Sequence, residues 1–99
     1  MSDAAFHREI HVGADHPSLP GHFPGAPLVP GVLLLEQVAV ALRAWRNQRL
    51  ARVLEAKFLA PLLPDERASL TLTDAAGRLR FEVRRDGELL ARGVIEGAS

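Results

Sequence analysis

Residues 16–37, HPSLPGHFPGAPLVPGVLLLEQ, decide how this 99-residue chain folds. The part up to residue 31 holds prolines at 17, 20, 24, 27 and 30 and glycines at 21, 25 and 31. Proline fixes its own φ, donates no backbone hydrogen bond and pushes the residue before it into extended conformations. The segment is thereby kept out of helix and sheet alike, while Phe23, Leu28 and Val29 give it apolar anchors. At Gly31 the pattern changes. Val32, Leu33, Leu34, Leu35, Val38, Ala39, Val40, Ala41, Leu42, Ala44 and Trp45 leave almost no polar face over three turns. That predicts one long helix from Gly31 to about Asn47, buried on all sides. Arg43, Arg46, Asn47 and Arg49 crowd its far end, where cations suit the carbonyl end of the helix dipole.

The flanking sequence reads as strands. Phe6 to Val12 alternates loosely, with Phe6, Arg8, Ile10 and Val12 against His7, Glu9 and His11. Arg52 to Leu59 forms a second strand, closed off by Pro61 and Pro64. Arg67 to Thr73 sets Leu70 and Leu72 against Ser69, Thr71 and Thr73, and ends at the turn Asp74-Ala75-Ala76-Gly77. Arg78 to Arg85 alternates strictly, with Leu79, Phe81 and Val83 on one side. Asp86-Gly87 is a two-residue hairpin signal. Glu88 to Glu96 returns with Leu89, Ala91, Gly93 and Ile95 facing inward. A long apolar helix followed by antiparallel strands gives an α+β fold, in which the sheet wraps around the helix and each covers the other's apolar surface.

Composition narrows the functional classes. A chain of this length is a single domain, residues 1–99, and its one core is small enough to favour oligomerisation. Cysteine is absent, which removes disulfides, thiolate metal ligands and a Cys nucleophile. Lysine and arginine number 12, as do aspartate and glutamate, so there is no electrostatic footprint for nucleic acid. The N-terminus MSDAAFHREI has no hydrophobic signal core. The apolar run at 32–42 contains Glu36 and is too short to span a bilayer. The expectation is a cytoplasmic protein with no membrane partner.

Three residues carry chemistry. Glu36 has Val32, Leu33, Ala39 and Val40 as its helical neighbours, none of them a cation or hydrogen-bonding group. Such surroundings desolvate a carboxylate and favour its neutral form, which suits general-acid work. A Glu pairing with an arginine from a strand or a partner chain fits the spacing equally well. His22 lies between Gly21 and Phe23-Pro24-Gly25, where a stiff backbone would hold an imidazole in place as a base; a surface-loop histidine is the plainer reading. Gly31 opens the helix, where free N–H groups and the positive dipole end can meet a developing oxyanion. Pro30-Gly31 is also simply a good helix start. His7 and His11 sit on a strand, so no histidine pair has the helical i, i+4 spacing of a metal site, and no metal is expected.

Taken together, Gly21-His22-Phe23-Pro24-Gly25-x-Pro27-x-x-Pro30-Gly31-Val32-Leu33-x-x-Glu36 closely resembles the signature of the hotdog-fold 3-hydroxyacyl-acyl-carrier-protein dehydratases of fatty acid synthesis. The upstream His16-Pro17-x-Leu19 and the later Lys57-Phe58-x-x-Pro61-x-x-Pro64-Asp65 extend the likeness. By position, the resemblance implies His22 as catalytic base, Glu36 as acid and the Gly31 N–H as holder of the thioester carbonyl. It further implies dehydration of a 3-hydroxyacyl thioester to the trans-2-enoyl thioester. The enzyme would need no cofactor beyond the phosphopantetheine that carries the substrate, and acyl carrier protein would be a partner. The family pairs as dimers, or as oligomers of dimers, with His from one subunit and acid from the other.

Three departures stand out. Val40 occupies a position where the family often has Gln, and Gln37 points about 100° away around the helix. The chain is short for the family. Arg43, Arg46, Arg49 and Arg52 form a basic cluster that suits an acidic carrier but equally a solvated helix end. A hotdog thioesterase and a non-catalytic acyl-binding or partner subunit are the alternative readings.

Overall fold

The structure, a computed structural model, describes residues 5–13 and 29–99. The elements run β1 (Ala5–His11), α1 (Gly31–Arg46), β2 (Arg49–Phe58), β3 (Arg67–Ala75), β4 (Arg78–Arg85) and β5 (Glu88–Ala98). The strands form one antiparallel sheet in the order β1-β3-β4-β5-β2, so β1 and β2 are its edges.

Both hairpin turns use two residues with positive φ. Ala76 and Gly77 have φ of 53° and 85°, and Asp86 and Gly87 have 51° and 84°. This handedness matches the twist of the flanking strands. The first turn is tighter than the sequence suggests, because Asp74 and Ala75 stay in β3, opposite Leu79 and Arg78. β2 likewise begins three residues early, at Arg49, since Arg49 and Leu50 pair with Ala98 and Gly97 of an extended β5.

The core lies between the sheet and one face of α1. Leu33, Leu34, Val38, Ala41 and Leu42 of the helix are buried, as are Leu70, Leu72, Phe81, Val83 and Ile95 of the sheet. One inward residue differs from the alternation. Leu89 is half-buried, whereas Leu90 is fully buried alongside Ala91, because a register shift after Val83 places Leu89 opposite Arg84. The Leu90 carbonyl then accepts hydrogen bonds from the N–H groups of Leu59 and Ala60, at 2.7 and 3.2 Å. In β1, Arg8 is exposed although it shares a side with Ile10. Gly93 lets the Phe81 ring lie across the β5 backbone, a space that any Cβ would fill.

The helix departs most from expectation. Among the described residues it is covered on one side only: Val32 is 60% and Val40 46% exposed, with Glu36 exposed between them. A single antiparallel sheet of this width covers one face of a 16-residue helix, and the opposite stripe is left without protein over it among the described residues.

Candidate active site

The sequence-predicted residues divide as follows. His22 lies outside the described residues, as do His16 and the Pro/Gly-rich stretch up to residue 28. Gly31 and Glu36 are both on α1.

Gly31 is the first residue of the helix, after Pro30 in extended conformation (φ −62°, ψ 146°). No side chain caps this end, and the first turn carries no acid. Among the described residues, the N–H groups of Gly31 and Val32 and the positive dipole end therefore meet no capping side chain. Leu33 donates to the Pro30 carbonyl at 2.9 Å, and Val29 donates to Leu62 at 2.8 Å, which ties the helix start to the loop after β2. A cleft of about 440 Å³ opens here, lined by Pro30, Gly31, Leu34, Phe58, Leu59 and Pro61 among others. The Phe58 ring, half-exposed, rests against Gly31 so closely that a Cβ there would stand 2.8 Å from Cζ.

The loop that walls this cleft is fixed by one arginine. Arg85 donates to Glu66 at 2.7 Å, to Glu88 at 2.9 Å and to the Pro61 carbonyl at 3.0 Å. Glu66 in turn accepts from the Leu63 N–H at 2.8 Å. That backbone hydrogen bond, and then Arg85, hold the Glu66 carboxyl below its ordinary range.

Glu36 occupies a separate groove of about 600 Å³. Val32, Leu35, Ala39, Val40 and Leu50 make its apolar wall, and Arg43, Gln48 and Arg49 close one end. Glu36 is the one carboxylate among the described lining residues, and it has no hydrogen-bond or ion-pair partner among the described residues. Among the described residues nothing supplies the desolvation expected from its helical neighbours: Val32 and Val40 beside it are themselves exposed. A covering surface over this stripe would supply it. Gly31 and Glu36 share no cavity. They are separated by five residues, about 7.5 Å along the axis and about 140° around it, so the described residues of one chain do not bring them into a single cavity.

Sequence reasoning missed the groove's other wall. Gln48 and Leu50 carry no motif, and they face Glu36 only because β2 turns back along the helix. Phe58 fell within the second family-like segment, but its position over Gly31 depends on how β2 ends.

The profile of the ApeI-like family, ApeI dehydratase, matches residues 2–94. The chain belongs to the ApeI-like dehydratase family. A relative named 3-hydroxyacyl-[acyl-carrier-protein] dehydratase FabZ, from Polynucleobacter necessarius, is 34% identical over 99 residues, covering 86% of this chain and 66% of its own length. The chain thus spans just under two thirds of that relative, and about half of the FabZ of Haemophilus influenzae. Among solved structures, the dehydratase heterocomplex ApeI:P from Xenorhabdus doucetiae matches with a TM-score of 0.85 at 20% identity, over 99% of this chain and 90% of that one. An acyl-CoA hydrolase from Staphylococcus aureus matches with a TM-score of 0.71 at 14% identity, over 96% and 62% of the two chains. These structures share the fold, which is the hotdog fold.

Proposed function

We propose that this ApeI-like chain dehydrates a 3-hydroxyacyl thioester, carried on acyl carrier protein, to the trans-2-enoyl thioester, in the cytoplasm. Neutral His22 removes the α-proton. The Gly31 N–H receives the negative charge that develops on the thioester oxygen. Protonated Glu36 gives its proton to the departing 3-hydroxyl, which leaves as water. The observation that carries this reading is a lone carboxyl, Glu36, set midway along an apolar groove on the helix whose uncapped start is Gly31. Family membership supports the same assignment. The steps use two side chains and one backbone N–H. Acid/base assistance contributes roughly 10²–10⁴-fold, and an oxyanion donor about 3–4 kcal/mol.

The unit of function in this reading is a dimer. Gly31 and Glu36 line different cavities, and the groove around Glu36 is apolar and open, which supports a site shared between two chains. β2 is an edge strand with unpaired backbone groups, and Val53, at 42% exposed, and Phe58 lie along it. Antiparallel pairing of two β2 strands joins the sheets and brings the two open helix stripes together.

The test is incubation with a 3-hydroxyacyl-carrier thioester, following enoyl absorbance and free thiol together. Enoyl product without thiol, lost in His22→Ala and Glu36→Gln, is the expected result. Thiol release in place of enoyl product would show the thioesterase alternative. A heterocomplex is formed by the ApeI:P dehydratase, which favours a second reading of the partner as a different chain. Light scattering on this chain alone decides between the two: a monomer that turns over only with another chain added supports the second.

A further inference from the structure

The four arginines near the end of α1 are one cluster in sequence and two kinds in space. Arg46 is committed: it lies 3.9 Å over the Trp45 ring and donates to Asp74 at 3.0 Å. Arg52 is drawn to Glu96 at 3.6 Å on the neighbouring strand. Arg43 and Arg49 face the other way. Both line the end of the Glu36 groove, with Gln48 beside them. Arg49 has no partner among the described residues, and Arg43 spends one guanidinium N–H on Asn47, at 3.3 Å.

The groove is therefore polarised along its length. Its wall is apolar, its one acid stands midway, and its end holds two cations and an amide. Glu36 and Arg43 are seven residues apart on one helix, about 10 Å along the axis. An arginine side chain adds several ångströms more. The lining thus complements a long ligand with an anionic head and a neutral, partly apolar body. Resting on the dehydratase reading, we propose that Arg43 and Arg49 bind the phosphate of the phosphopantetheine arm, anchoring the thioester so that its acyl end reaches Glu36. Planar guanidinium groups suit that phosphate, and Gln48 adds a neutral donor.

The test measures binding and turnover separately. Non-hydrolysable acyl analogues of pantetheine, phosphopantetheine, coenzyme A and carrier-borne phosphopantetheine are titrated against the assembled protein and the Arg43→Met/Arg49→Met double variant. Methionine keeps the aliphatic stems against the groove. For the carrier-borne and free phosphopantetheine analogues, the expected loss is roughly three- to tenfold in affinity, diminishing with salt. The pantetheine analogue, which has no phosphate, binds both proteins alike, and Arg52→Gln changes neither. In turnover the loss appears in KM with kcat held, and lysine at both positions restores part of it. An equal loss with the phosphate-free analogue overturns the proposal, as does a loss confined to coenzyme A, which would place the contact on the nucleotide. If no enoyl product forms but phosphate-dependent binding persists, the dehydratase reading fails and the phosphate site stands.

Discussion

The ring of Phe58 lies against the backbone of Gly31, with Cζ 2.8 Å from where a Cβ would sit. The ring ends a half-exposed side chain at the close of β2, so it can swing away at little cost. Gly31→Ala should therefore fold, with stability changed by less than about 1 kcal/mol, since alanine also favours the helix. Its methyl group stands where a ligand would approach the N–H. Turnover of a 3-hydroxyacyl thioester should fall by about 10²-fold or more, measured alongside a thermal melt.

Glu36 makes no intrachain polar contact among the described residues, so its removal should cost the isolated fold little. Glu36→Gln is expected to keep the melting temperature within a degree or two while lowering kcat by roughly 10²–10⁴-fold. A large loss of stability with intact turnover would reassign Glu36 to structure.

Val53 is exposed on an edge strand beside the open helix face. If the proposed β2-edge dimer forms, Val53→Asp should convert it to monomer by light scattering, with activity lost at the same protein concentrations. A dimer that survives this change, and retains activity, would point to another interface.

Acid stability should depend on Glu66. Its carboxyl is held below the ordinary 4.5 by the Leu63 N–H first and by Arg85 as well. As pH falls, the unfolded chain takes up this proton before the folded one does. The stabilisation is complete above the unfolded value and disappears as pH drops through the lower folded value. Glu66→Gln should thus lower the melting temperature at neutral pH and flatten its decline below about pH 4.5. Equal pH profiles for the two proteins would remove Glu66 as a contributor.

Gly93 should tolerate nothing larger. A Cβ there meets the Glu55 carbonyl of the next strand and, at 2.7 Å, Cζ of Phe81, whose ring is held in the core. Gly93→Ala should destabilise by about 1–3 kcal/mol. That corresponds to roughly 4–8 °C per kcal/mol in a domain of this size, read by calorimetry.

Local pattern alone determined much of this protein. Pro30-Gly31 starts the helix because both residues act through their own backbone, and strict alternation fixes Arg78–Arg85 because a strand's side chains alternate whatever it packs against. The glycine-containing turns at Ala76-Gly77 and Asp86-Gly87 follow from positive φ, another local property. The motif from Gly21 to Glu36 likewise carried the family, since it rests on residue types at fixed spacing. Tertiary structure decided what depends on distant partners. Glu36 is exposed because the sheet covers only one helix face, which no count of apolar neighbours reveals. Leu90 displaced Leu89 because a register shift lies between β4 and β5. Arg43 and Arg49 parted from Arg46 and Arg52 because Asp74 and Glu96, remote in sequence, took two of the four. Gly31 and Glu36, neighbours along the chain, came to line separate cavities because about 140° of helical rotation lies between them.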